Sequence, residues 1–279
     1  MKTFVRVLII LTVLIVIGVV AVLYAIYNSD PAQQDVLEEK TFDEEIEDMD
    51  IMVENSRVDF RPSNDGTSRV VLTGNNDDFT LKTDISGGRL VVEVEDRSGF
   101  FNFGFNRSST LQVFVPANGL ASLTADSNNG AIQANDIEAA ELSLEANNGR
   151  IELEAVETDS VNVETANGRI ELADMEADMT ARASNGRIIF RNVSGELEAN
   201  ANNGRIDLTV DTLDFPVDFK TNNGHIEIHT ENEPTNARIE SRVDIGSINV
   251  YGQSSQLVNF GNGEVLINLD SNNGRIIVE

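Results

Sequence analysis

Asn148-Gly149-Arg150-Ile151-Glu152-Leu153 returns as Asn167-Gly168-Arg169-Ile170-Glu171-Leu172 and again as Asn185-Gly186-Arg187-Ile188-Ile189-Phe190. The Asn-Gly step also occurs at Gly130, Gly204 and Gly224, and less regularly at Gly263 and Gly274; the first five intervals are 19, 19, 18, 18 and 20 residues. Gly246, in Asp244-Ile245-Gly246-Ser247-Ile248, resembles a degenerate member. Two residues after the glycines stand Ile132, Ile151, Ile170, Ile188, Ile206 and Ile226; seven before them stand Leu142, Val161, Met179, Leu197 and Val217. Apolar residues two apart mark strands with one face turned inward. Each unit therefore predicts a strand, an Asn-Gly turn at positive φ, a second strand, and a shorter third segment around Ile137, Val156, Met175 and Val193.

Asn-Gly also closes ordinary two-residue hairpins. Independent hairpins do not explain why the whole unit recurs, whereas parallel stacking of units about 4.8 Å apart does. The predicted fold class is all-β: a single-stranded parallel β-helix over 117–279, with aliphatic columns inside and asparagine amide ladders at the turns. Residues 51–116 are strand-rich at Val70–Leu72, Phe79–Leu81, Leu90–Val94 and Leu111–Val115 but depart from the period, so they are read as an N-terminal β cap. The interval from Gly263 to Gly274 is only 11 residues, and the chain finishes on the strand Arg275–Glu279. An uncovered final strand predicts either a homotypic end contact or a packed-back tail.

Towards the amino end, Val7 to Tyr27 is a run of 21 residues without a charge. As a helix it covers roughly 30 Å, a bilayer core, and it lacks the short apolar core and A-x-A site of a cleaved signal peptide. Lys2 and Arg6 precede it and no cation follows until Lys40. That asymmetry predicts a cytoplasmic tail over 1–6, a transmembrane helix over 7–27 and an extracellular remainder in a single-pass cell-membrane protein. Residues 28–50 are dense in acids, among them Asp43, Glu44, Glu45, Glu47 and Asp48, and are read as an acidic disordered linker.

The chain has 279 residues, with 20 Lys+Arg against 47 Asp+Glu, for a net charge of -27. A polyanion of this kind excludes nucleic acid as partner, because phosphate neutralisation needs clustered cations. It contains no cysteine and two histidines, which excludes disulfides, thiol chemistry and His-rich metal sites. In the strand His225-Ile226-Glu227-Ile228-His229 the two histidine Cα atoms lie about 13 Å apart, too far to share one zinc, and are read as solvated surface residues. No catalytic, cofactor or metal site is expected.

Two candidate partner surfaces remain. Arg150, Arg169, Arg187 and Arg205, with Arg275, follow their glycines and stack outward beside Glu152, Glu171, Asp207 and Glu227. They read either as a cation column paired with an anion column, worth a few tenths of a kcal/mol per pair, or as a track for a polyanionic wall polymer. Phe100, Phe101, Phe103 and Phe105 crowd a loop bounded by Gly and Ser. They either fold over the open end of the core or form an apolar patch for a membrane or protein partner.

The anchor, the acidic spacer, the Leu111–Pro116 step and the Asn-Gly-x-Ile repeat together resemble the bacterial putative adhesin family, membrane-anchored envelope β-solenoids that include LiaG-like proteins. The resemblance spans roughly residues 50 to 279 and carries no catalytic residues with it. It implies a non-enzymatic role in adhesion, envelope interaction or envelope stress response, with envelope proteins or wall polymers as partners. The alternative is a β-helix that binds or acts on cell-wall polysaccharide, since one fold hosts many functions.

Overall fold

The computed structural model describes residues 34–97 and 108–279. The predicted transmembrane helix and the phenylalanine loop lie outside those residues. Among the described residues no helix is long and apolar enough to cross a membrane. The strands, in chain order, are β1 (Asp35–Phe42), β2 (Asp48–Val53), β3 (Arg57–Pro62), β4 (Ser68–Gly74), β5 (Phe79–Ser86), β6 (Arg89–Asp96), β7 (Ser109–Val115), β8 (Leu120–Ser127) and β9 (Ile132–Asn135). There follow β10 (Ala139–Ala146), β11 (Arg150–Glu154), β12 (Ser160–Glu176), β13 (Asp178–Ser194), β14 (Leu197–Val210), β15 (Val217–Thr230), β16 (Ala237–Val250), β17 (Leu257–Asn259) and β18 (Val265–Val278). All belong to one hydrogen-bonded mixed sheet.

Coils stack in parallel and in register through the middle. β10 and β11 lie on β12, β12 on β13, β13 on β14 and β14 on β15, so that Gly168, Gly186, Gly204 and Gly224 are successive neighbours. Inside, the isoleucines two residues after each glycine form one column, with Ile151, Ile170, Ile188, Ile206 and Ile226 all fully buried. Small and large residues alternate to fill the interior. Phe190 and Phe219, two coils apart, stack with centroids at 5.4 Å across the space left by Ala181 and Ala199, in an offset geometry that aromatic pairs favour. The third segment also forms as predicted, with Ile137, Val156, Met175 and Val193 buried.

The reason for glycine differs from the expectation of a positive-φ turn. Of the corner glycines only Gly246 has a positive φ, at 150°. At Gly149, Gly168, Gly186, Gly204, Gly224 and Gly274 a Cβ would sit far inside 3.0 Å of the carbonyl oxygen of the glycine one coil below. Glycine is needed because two backbones touch there. Left-handed residues occur instead six positions later, at Asp136 (φ 53°), Ala155 (φ 52°), Asp174 (φ 54°) and Asn192 (φ 49°), where the chain bends into the third segment. Asp and Asn tolerate that region better than most side chains.

Both ends depart from the predicted order. β2 and β3 form a coil of their own, lying between the β6–β7 coil and the β8–β9 coil. The acidic linker and the boundary of the N-terminal cap are therefore corrected: residues 35–42 and 48–53 are strands, and Met49, Ile51, Val53, Val58 and Phe60 are core. Their apolar alternation offsets the density of surrounding acids. β4 and β5 act as a cover, running antiparallel on β7 and β6 respectively, and β1 pairs with β4.

At the carboxyl end β18 inserts between β15 and β16, pairing in parallel with both. The final strand is thus a packed-back interior coil and not an open edge. Gly263 is no repeat member; it has φ 69° in a connecting turn, and Val265 pairs with Ala237 ahead of the corner at Gly274. Gly246 is a true member, opposite Gly274.

Candidate interaction face

The asparagines before the corner glycines form a ladder. Asn273 donates to Asn223, Asn223 to Asn203, Asn203 to Asn185, Asn185 to Asn167, Asn167 to Asn148, Asn148 to Asn129 and Asn129 to Asn55, with each amide nitrogen 3.0 or 3.1 Å from the next oxygen. Each step exchanges solvent bonds for a geometrically fixed one in a chain of aligned amides. Because Asn55 belongs to it, the ladder crosses from the repeat into the coil that sequence reading left out.

One residue beyond each corner glycine, the cation column is assembled in register: Arg57 beside Thr110, then Arg150 beside Arg169, Arg187, Arg205, His225 and Arg275. Like charges this close require anions between them. Arg150 pairs with Glu152 at 2.8 Å and Arg169 with Glu171 at 3.5 Å. Arg191, from two positions after the Ile189 gap, also reaches Glu171. Arg187 has Ile189 where its own acid would stand, so it crosses to Asp207 on the next coil. Asp207 is shared with Arg205, and Arg205 also binds Glu227.

Asp207 is buried between its two guanidinium partners. The hydrogen bond to Asp207 pushes the Arg187 pKa up, against the opposing effect of burial. The four arginines keep side-chain exposures of 50, 46, 45 and 37% from Arg150 to Arg205, so the face stays open to a partner while its charges are largely paired. The more exposed pairs, Arg150–Glu152 and Arg169–Glu171, are each worth about 0–1 kcal/mol.

The two histidines are not simply solvated. His225 is half-buried in the cation column, with its Nδ1 lacking a hydrogen-bond partner. His229 has Glu227 at 3.0 Å from Nε2 and Glu279 at 3.2 Å from Nδ1. The trio brings metal-capable atoms within 4.8 Å of one another. Its carboxylates occupy opposite ring nitrogens, however, and Arg205 takes part of Glu227. That arrangement sets acceptors on two sides of the ring instead of gathering ligands around one point. Sequence reading missed Glu279, because a partner brought in by the out-of-order β18 carries no local signal.

Phe100, Phe101, Phe103 and Phe105 lie outside the described residues. At the described start of β7, Ser109 pairs through its Oγ with Ser56, the glycine-equivalent residue of the next coil, at 2.5 Å.

A parallel in-register stack, an amide ladder, and glycine corners packed on one another describe a β-solenoid, and residues 46–279 match Toastrack DUF4097. The chain belongs to the Toastrack DUF4097 family. Among solved structures, the putative adhesin of Bacteroides fragilis NCTC 9343 is similar at a TM-score of 0.54 and 12% identity, with coverage of 89% of this chain and 99% of that one. The putative adhesin of Parabacteroides merdae ATCC 43184 matches at 0.39 and 13% identity, covering 85% and 97%. The putative lipid binding protein of Parabacteroides distasonis ATCC 8503 matches at 0.32 and 13%, covering 86% and 93%. The first shows a shared fold and nothing finer. No curated protein matches the chain.

Proposed function

We propose that this Toastrack protein is a non-catalytic display module, held at the outer face of a cell membrane by residues 7–27 and used for adhesion or envelope interaction. The observation that most supports this reading is the ribbed face itself. Coil after coil sets the same residue types at one position, which makes a periodic surface suited to an extended partner. A small substrate would need a closed pocket with a few convergent polar groups instead.

Arg150, Arg169, Arg187 and Arg205 are the contacts proposed for an anionic wall polymer or an acidic envelope protein. Guanidinium forks re-pair from carboxylate to phosphate with little change in geometry. Protease added to intact cells releases the acidic domain under this reading, whereas a chain untouched until lysis overturns the topology. Binding of the full chain in detergent to isolated cell walls is expected to fall about tenfold or more when the four arginines are replaced by glutamine. Unchanged binding would remove the arginine face from the mechanism.

A further inference from the structure

The two ends of the stack are finished differently. At one end β6 is covered along its length by β5 and β7 by β4, and the Lys40 ammonium donates to the Leu81 carbonyl of β5 at 3.4 Å. Lysine and charged residues on an outermost strand discourage further pairing. At the other end β17 pairs with Arg238–Glu240 alone, and the Gln256 carbonyl accepts from the Ser241 amide. Among the described residues no strand lies on the outer side of Arg242–Asn249.

That segment nevertheless keeps the register of a coil, with Val243 opposite Ser271, Gly246 opposite Gly274 and Ile248 opposite Ile276. One coil inward these core positions are sealed, since Ser271 and Ile276 are 0% exposed. Val243 and Ile248 are only half-buried, and Ile245, which replaces the ladder asparagine, is 71% exposed. Free backbone groups beside a half-bare apolar row make a surface for strand addition.

Charge selects what can occupy it. At a net -27 the chain repels another copy of itself over most of its surface. β16 is balanced, with Arg238 and Arg242 against Glu240 and Asp244. An antiparallel pair centred on Val243 sets Arg242 of each copy opposite Asp244 of the other, an arrangement that stabilises cross-strand pairing. Because the opposite end of the stack is covered, this edge has only its own counterpart to meet.

We propose that two copies of this chain join end to end through the free edge of β16, as a closed two-fold dimer. A contact in which the same patch serves both partners stops at two subunits and does not grow into a filament. The proposal is independent of which ligand the arginine face takes.

The chain has no cysteine, so an introduced one is its sole thiol. In the detergent-solubilised full chain, Val243→Cys is expected to give a disulfide-linked dimer under mild oxidation, because directly opposed residues of an antiparallel pair come within disulfide range. Asp84→Cys, in β5 at the covered end, is expected to give none. Sedimentation of the unmodified chain is expected to show twice the 30.5 kDa protomer mass, and Ile245→Lys a single protomer. Position 245 is exposed enough that lysine leaves the fold intact. The proposal is overturned by a protomer mass at every concentration, by growth past two copies, by a dimer that survives Ile245→Lys, or by equal cross-linking of Asp84→Cys.

Discussion

In the middle of the molecule, from β10 to β15, order along the chain and order in space coincide. At the ends they part: β2–β3 slips beneath a coil made later in the chain, and β18 slips beneath a coil made earlier. Antiparallel strands then lie on each end, β4 and β5 along the whole of one outermost coil and β17 on only Arg238–Glu240 of the other. A stack of equivalent coils has equivalent edges, so any coil can in principle sit on any other. The middle resolves that ambiguity by short connections, which keep neighbours adjacent. The ends resolve it by burying the first and last coils between others.

The strongest test of this difference removes what is last in sequence against what is last in space. Deletion of Val265–Glu279 takes out an interior coil and leaves β16, with β17 upon it, without its parallel partner. Limited proteolysis is expected to digest the chain back to β15. Replacing residues 236–261 by a short linker removes only the outermost coil, and β18 remains paired on β15. Comparable damage from the two deletions would mean that β18 does not hold the end together.

A smaller effect separates the two kinds of glycine. Gly204→Ala drives a methyl into the Gly186 carbonyl, with backbone above and below and nowhere to yield, for a loss on the order of 3–5 kcal/mol in a urea melt. Gly263→Ala meets the Arg238 Cβ at 3.3 Å, the Asn259 Oδ1 at 3.5 Å and a φ of 69°, for a cost of about 1 kcal/mol. Equal losses would show that the corner glycines serve conformation after all and not contact.

Much of the middle is legible in the sequence alone. Period, inward columns, amide ladder and arginine register all follow from alternation and spacing, because the same local pattern recurs on equivalent coils. What escaped is non-local or disguised. Asn55-Ser56-Arg57-Val58-Asp59-Phe60 repeats Asn-Gly-Arg-Ile-Glu-Leu in type, with Met49, Ile51 and Val53 at the three preceding core positions. Serine in place of glycine hides it from the Asn-Gly period. The left-handed bends had a signal too, since Asp136, Asp174 and Asn192 each stand six residues after a glycine. The insertion of β18 had none: period states that a coil will stack, not upon which neighbour. The Asn-Gly dipeptide misled for a related reason, because turn preference is local while backbone contact between coils is not.

The corners also differ in what holds them. Those of the middle use neutral amides, which do not titrate, whereas the connection from β3 to the covering strand β4 uses a carboxylate. Asp65 accepts from the Ser63 hydroxyl at 2.7 Å, the Thr67 hydroxyl at 2.8 Å and the Thr67 amide at 3.1 Å. Those bonds, the Ser63 hydroxyl first, lower its pKa from 3.8 to about 2. A carboxylate with a depressed folded-state pKa lends its stabilisation in full above 3.8 and loses it as pH falls towards about 2. The Thr67 amide resonance is expected to titrate across that window while the backbone amide of Asn203 stays still. Asp65→Asn should abolish the transition, and a Thr67 shift that persists in the variant would place the titrating group elsewhere. Asp65 is exposed, which keeps the consequence local, so the covering strands loosen at their entry while the glycine corners hold.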